Sequence, residues 1–315
     1  MKKKLHTFLT LLMIIVMTTG CIKEDLSNCD NVMICLNYTA DGDENLLHEK
    51  ISKIDLYVFD ENERLVEKMT YDSNKLKAQN SVISFRYPYG KQYTLIALGN
   101  AFENTDVLNE NGGKINEIFI QSSAFDQTET NLKHDDNYIG SKVIRTPEAE
   151  GMVTMDTVSF SSAHINLDMR IKGDGVISPS KSADCPYELS IENCNAQINV
   201  LNTLNTDVKR TYQLDLTYSQ EGNYYHTNNA AVFRMDNQGV IDETTCSHVI
   251  VFKNKLTDEV FRFSLLDFLN KASDIKSKVL LQEAVLPLEI HFSAGSVDLT
   301  IPDWEIEDTF PEWAD

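Results

Sequence analysis

The chain has 315 residues, of which 28 are Lys or Arg and 48 are Asp or Glu, giving a formal net charge of −20. A surface so acidic repels phosphate backbones, which excludes nucleic acid as a partner and disfavours lying flat on an anionic membrane. The length allows two domains with cores of their own.

The first twenty residues read as a secretory signal. Lys2, Lys3 and Lys4 form a basic start, and "FLTLLMIIVM" at 8–17 is an apolar run too short to span a bilayer. Thr18, Thr19 and Gly20 then lead into Cys21. Small residues there open the backbone to a peptidase cutting between Gly20 and Cys21, and the thiol can take a diacylglycerol as a thioether. The stretch resembles a bacterial lipobox, with Thr18 where Leu is usual. Behind the cysteine, Lys23, Glu24 and Asp25 resemble the surface-export signal of Bacteroidota lipoproteins. Residues 21–30 would be a lipidated tether. Removing residues 1–20, which hold three lysines and no acids, takes the formal charge to −23.

From residue 31 the chain reads as strands. "NVMICLNY" alternates Val32, Ile34, Leu36 and Tyr38 on one face, and "ISKIDLYVFDENERLVEKMTY" places Ile54, Leu56 and Val58 together before turning at 60–63. "SVISFRY" and "YTLIALGN" follow, joined by the turn "PYGKQ". "INEIFIQSSAF" at 115–125 fits a short helix or another strand. "TPEAEG" near 146–160 divides the chain into an N-terminal domain, 31–156, and a C-terminal domain, 157–315. In "HINLDMRIK", Ile165, Leu167, Met169 and Ile171 alternate with a wet face that starts at His164. The Gly/Ser/Pro-rich "GDGVISPSKSADCP" at 173–186 reads as a long loop. Later strands are "YELSI", "AQINVL", "YQLDLTY", "AVFRM", "HVIVF", "LPLEIHF" and "SVDLTI". The clearest helix is "SLLDFLNKA", with Ser264 and Asp267 at capping spacing and Leu265, Phe268 and Leu269 on one face. Short strands separated by turn clusters predict an all-β chain of antiparallel sandwiches with few short helices.

Five cysteines remain after Cys21: Cys29, Cys35, Cys185, Cys194 and Cys246. An odd number leaves at least one thiol free or bonded between chains. If the chain between neighbours is extended, Cys185 and Cys194 lie about 30 Å apart and Cys29 and Cys35 about 20 Å, beyond disulfide reach. The pattern leaves the state of all five open and gives no metal spacing.

No motif of a hydrolase, metalloprotease or nucleotide-binding protein is present, so no catalytic, metal or cofactor residues are assigned. His134-Asp135-Asp136 reads as a solvated polar loop, and "DGDEN" at 41–45 as a turn lacking the rest of a calcium loop. Ser161 and Ser162 lie near His164 without an orienting acid. Glycan binding would favour exposed tryptophans, but Trp304 and Trp313 are the only two, and "NYYH" at 223–226 fits a structural hairpin.

Taken together, "CIKEDLSNC", "IDLYVFDENERLV", "YTLIALGN", "NYIGSK", "AHINLDMRI" and "VDLTIPDWEI" resemble the fimbrium-anchoring minor subunits of Bacteroidales, the FimB-like lipoproteins of fimbrillin-type pili. The resemblance implies two transthyretin-like β-sandwich domains in tandem and an outer-membrane lipid anchor on Cys21. It also implies a stalk-subunit partner and a role in ending subunit addition. In such pili an extended strand completes a neighbour's sheet, and a trypsin-like protease first frees the groove of stalk subunits by cutting after a basic residue. Here no Lys or Arg occurs from Glu24 to Glu49. The first strand therefore has no such cut before Lys50, as expected of a terminal subunit. A surface glycan-binding lipoprotein of a polysaccharide-uptake system is the alternative reading.

Overall fold

The computed structural model describes residues 29–112, 114–125, 134–173, 176, 185–228, 230–293 and 296–302. The expected signal, Cys21, Lys23–Asp25, most of the 173–186 loop and the tail holding Trp304 and Trp313 lie outside the described residues.

The alternation in "NVMICLNY" becomes β1 (Val32–Asn37). Val32, Ile34, Leu36 and the following Tyr38 are all fully buried, as a strand packing one face on a core requires. β1 lies inside its sheet, antiparallel to β4 (Val82–Phe85) and parallel to β9 (Thr154–Ser162). The end of β9 turns to pair with β8 (Tyr138–Arg145), so one strand joins the β4-β1-β9 layer to a second layer. That layer is β3 (Leu65–Asp72), β2 (Lys53–Phe59), β5 (Gln92–Gly99) and β8 in order. Gly140 sits where β8 meets β9. A Cβ there would come within 2.7 Å of Val158 Cγ1 and 2.9 Å of Ser159 O, so only glycine lets the strands close.

Ile54, Leu56 and Val58 face β1 across the first core, as their spacing predicts. The opposite face of the same strands is also buried: Tyr57, Phe59, Ile96 and Leu98 pack in a separate cluster. Their cover is a small sheet of β6 (Thr105–Leu108), β7 (Phe119–Ser122) and β12 (Gln197–Asn199). "INEIFIQSSAF" is both of its readings in turn, a 3-10 turn at Ile115–Glu117 followed by β7.

The second half repeats the plan. β10 (His164–Gly173) lies parallel to β19 (Val285–Ser293) and antiparallel to β15 (Tyr224–Thr227) and β16 (Ala230–Phe233). β14 (Leu216–Ser219) and β20 (Ser296–Thr300) flank them. The facing sheet runs β13 (Lys209–Leu214), β11 (Tyr187–Asn195), β17 (Val249–Asn254) and β18 (Glu259–Ser264). Between them Ile165, Leu167, Met169 and Ile171 meet Leu189, Ile191, Ile250 and Phe252. The chain is thus all-β with sandwich layers. Antiparallel pairing dominates among the described residues, and the two parallel pairs found there join strands too distant for periodicity to reveal.

Four short α-helices occur among the described residues: α1 (Leu47–Lys50), α2 (Ser73–Ala78), α3 (Leu265–Lys271) and α4 (Ser273–Val279). α3 is the helix predicted, and Ser264 Oγ accepts from Asp267 N at 3.2 Å. All five described cysteines are free thiols, with Cys194 and Cys246 buried.

His164 corrects the sequence reading. It opens β10 on the face expected to be wet, yet it is 2 % exposed. There the chain passes from β9 directly into β10, and Ser162 Oγ, Asn137 O, the edge of Tyr138 and Asp136 Oδ1, 3.4 Å from Nε2, surround the ring, so the acid absent from the sequence reading is supplied by Asp136. His134 departs from its expected solvated loop as well, standing edge-on to Phe233 at 4.1 Å with Nε2 enclosed.

Because Ile34 is fully buried between two layers, Ile34→Ala should cost about 2–5 kcal/mol. Cys35→Ala, on the exposed face of the same strand, should cost under about 0.5 kcal/mol. Urea titration of both variants checks the difference, and equal costs would mean that β1 does not pack as described.

Candidate functional site: the first strand and its clasp

The segment after β1 is tied to the far end of the chain. Tyr38 OH donates to Glu283 Oε1, Tyr138 OH donates to the same oxygen at 3.1 Å, and Lys50 Nζ pairs with Glu283 Oε2 at 2.9 Å. Beside them Gln282 N donates to Asp41 Oδ2 at 2.8 Å, and Ser162 N donates to Gln282 Oε1 at 2.7 Å. Burial, and then the Glu283 carboxylate, holds both phenols well above the usual tyrosine range. Both therefore remain hydrogen-bond donors at any ordinary pH.

Residues 281–283 are themselves held from below. The Arg234 guanidinium is buried and donates to the carbonyls of Leu281 at 3.0 Å and Leu280 at 2.9 Å, while its Nε donates to Asp236 at 2.8 Å. These carbonyls directly follow Val279, the last residue of α4, where a helix end leaves such groups unpaired. A buried guanidinium that satisfies them makes the segment before β19 rigid. The "DGDEN" turn is part of the same clasp: Asn45 Oδ1 accepts from Tyr38 N and Leu47 N, and Asp41 reaches Gln282. It is a turn, as read from sequence, with a docking role that its spacing did not disclose.

None of this is catalytic geometry. Asp135 is committed to Phe102 N, Asn104 Nδ2 and Thr105 Oγ1. Among the described residues no group of His, Cys, Asp and Glu is close enough to hold a metal. An open concavity of about 680 Å³ beside Phe102 is lined by Lys53, Glu103, Asn104 and Asp135. In "NYYH", Tyr225 is buried against Tyr187 and Tyr218, so that hairpin is structural. No described helix is long and apolar enough to cross a membrane.

Two enclosed histidines, His248 buried and His134 half-buried, give the fold a pH dependence. Desolvation pulls His134 down to about 4 and His248 down to about 3, and neither ring nitrogen of His248 has a hydrogen-bond partner among the described residues. Both are neutral in the folded protein at pH 6, whereas the unfolded chain protonates them below about 6.5. Between those values the unfolded state binds more protons, so stability falls on acidification by up to about 1.4 kcal/mol per pH unit for each ring. His248→Leu should flatten the fall in urea midpoint between pH 6 and pH 4. An unchanged slope would show that His248 is not buried neutral.

A family model described as fimbrillin-A associated anchor proteins Mfa1 and Mfa2 matches residues 26–310. Among solved structures, a candidate adhesin from Bacteroides ovatus superposes with a TM-score of 0.70 at 12% identity, covering 90% of this chain and 96% of that one. A candidate polysaccharide-binding protein from Bacteroides thetaiotaomicron gives 0.65 at 16% identity, with 87% and 98% covered. The fimbrial anchor protein Mfa2 from Porphyromonas gingivalis gives 0.60 at 12%, with 82% and 88% covered. At these identities the likeness is one of fold. No curated protein sequence matches the chain.

Proposed function

The chain belongs to the family of fimbrillin-A associated anchor proteins Mfa1 and Mfa2, and from that premise we propose that it is a surface lipoprotein holding the base of a fimbrium to the outer membrane and ending its assembly. Lipid on Cys21, after cleavage behind Gly20, would be the anchor, and Lys23, Glu24 and Asp25 the export signal. A fimbrillin-type stalk subunit would be the partner, joined by non-covalent strand contacts.

The observation that carries the terminating role is β1 itself. It is paired on both edges, its inward side chains are fully buried, and the residues after it are clasped by Glu283 and Gln282. The first basic residue beyond Lys23 is Lys50, and its ammonium is engaged by Glu283. A subunit that keeps its first strand offers no groove to a following subunit, and it keeps its lipid. The division into sandwich domains at 31–156 and 157–315 is part of the same proposal. Separate cores around β1 and β10 support it, while β9 and β12 reach across it. The glycan-binding alternative has less behind it: the hairpin tyrosines are structural, and the tryptophans lie outside the described residues.

The C-terminal tail supplies a test. Val297 and Leu299 of β20 pack on the second core, and Pro302, which lacks an amide donor, follows them. Cells lacking this chain should shed fimbriae that are abnormally long. Truncation after Glu307 should do the same if the tail contacts another subunit, with stability near that of the full chain. Loss of several kcal/mol on truncation, the scale of removing a buried aromatic, would make the tail part of the core. Fimbriae of normal length and attachment in cells lacking the protein would sink the anchoring role.

A further inference from the structure

The start of β1 defines the pole of the first sandwich from which the chain leaves toward Cys21. Asn31 N donates to Phe85 O at 3.2 Å, and Thr154 N donates to Asn31 O at 3.0 Å. The Asn31 side chain bridges Tyr87 N and Tyr87 O. The loops at this pole are therefore 86–91 and 146–153. They are bound to each other, Gly90 N donating to Pro147 O at 2.9 Å and Thr146 Oγ1 to Pro88 O at 2.7 Å.

This bound pair of loops, with the start of β9, presents apolar side chains to solvent. Met152 is 57 % exposed, Val153 48 % and Met155 74 %, all within four residues. Met155 stands in register beside Met33 of β1 on the outward face of the sheet. A cluster of this kind on a chain otherwise so acidic marks a contact surface. Its charges are mixed: Arg145 pairs with Glu148 at 3.0 Å, Glu150 lies in the same loop, Arg86 and Lys91 in the other, and Asp30 directly precedes Asn31. Attraction to anionic headgroups is therefore not what the pole offers. It offers flexible thioethers and a branched aliphatic side chain, which lose little by entering an interfacial layer.

We propose that this pole seats on the membrane, with Met152, Val153 and Met155 entering the headgroup region of the leaflet that holds the lipid. The inference rests on lipidation of Cys21. Nine residues separate Cys21 from Asn31, and however arranged the ten Cα steps span at most about 35 Å. The pole that carries Asn31 is thus held beside the bilayer, while the rest of the molecule extends away from it. An apolar contact too weak to recruit the protein from solution is populated here, because the tether makes it an intramolecular event at high effective concentration. The contact would fix the angle at which the base of the fimbrium leaves the surface.

The test uses the full lipidated chain, reconstituted in vesicles of dibrominated phosphatidylcholine or its unbrominated parent. Val153→Trp places a fluorophore at the pole, and Leu256→Trp places one in the exposed β17–β18 turn of the second half. The unsubstituted protein corrects for Trp304 and Trp313. Brominated lipid should remove most of the fluorescence added at 153 and none of that added at 256. In the unsubstituted protein, amide exchange over 147–155 should slow when vesicles are present. If the protein floats with vesicles but neither tryptophan is quenched, the lipid anchor stands and the seated pole is wrong. Slow exchange at 147–155 in detergent as much as in vesicles also overturns it, because another part of the protein then covers the patch. Quenching at both positions means that the chain lies flat and rejects a defined pole. Failure to float with vesicles overturns the lipid anchor and this inference together.

Discussion

Cys21→Ala should move the protein quantitatively from the membrane fraction to the soluble fraction or the medium, with its urea midpoint unchanged. Each acyl CH₂ buried in the leaflet contributes about 0.8 kcal/mol, so more than one chain gives firm anchoring and none gives essentially no retention. Among the described residues, strand pairing begins at Asn31 and the first buried apolar side chain is Val32, so the fold as described does not call on the thiol. The net charge of −20 opposes any residual attraction to an anionic bilayer, and the apolar pole around Met152 is too small to hold the protein without a tether. Retention of the variant through a carbonate wash would rule out the lipid anchor. A lowered urea midpoint would mean that residue 21 packs against the fold.

Much of this architecture was legible because alternation reports one buried face at a time. Val32, Ile34 and Leu36 were readable as inward, and so were Ile54, Leu56 and Val58, because each row meets one core. What alternation cannot report is a second cover. Tyr57, Phe59, Ile96 and Leu98 are buried by β6, β7 and β12, and β12 arrives from the other half of the chain. Nor can it report partners. The parallel pairings of β1 with β9 and of β10 with β19 are set by closing the sandwiches, not by any local pattern. His164 failed for the same reason: its pattern position says solvent, and the crossing from β9 into β10 places Ser162, Asn137 and Tyr138 around it. The clasp was invisible for a different reason. Glu283 is one acid among 48, and only the fold selects it by bringing Tyr38, Tyr138 and Lys50 to its carboxylate. Arg234 was equally unmarked, and Asp41 stood in "DGDEN", where spacing suggested a turn and nothing of its bond to Gln282.

A chain that ends a fibre by keeping its first strand should lose that property when given a cut site behind the strand. Asp43→Arg is the position of choice: Asp43 is exposed in the turn between Tyr38 and Leu47, outside every hydrogen bond of the clasp. A trypsin-like protease cutting after residue 43 would leave β1 held by its pairing with β4 and β9, by the inward side chains of Val32, Ile34, Leu36 and Tyr38, and by the bonds of Tyr38 to Glu283 and of Asp41 to Gln282. Burying Val32, Ile34 and Leu36 is worth roughly 1.5–3 kcal/mol each, so together they approach the whole stability of an ordinary domain. The cut strand should therefore stay in place in the isolated protein at first, with a markedly lower urea midpoint. It should leave only when denaturant or a competing strand takes its groove. In cells the lipid remains on the short fragment and the body is free to go. Fimbriae should then appear in the medium, longer than normal, with residues 44–315 at one end. Asp43→Gln, which adds no basic residue, should behave as the unsubstituted chain and separates cutting from any effect on the turn. If Asp43→Arg is cut and fimbriae still remain attached at normal length, retention of β1 does not end the fibre. The clasp at Glu283 would then be a feature of stability alone.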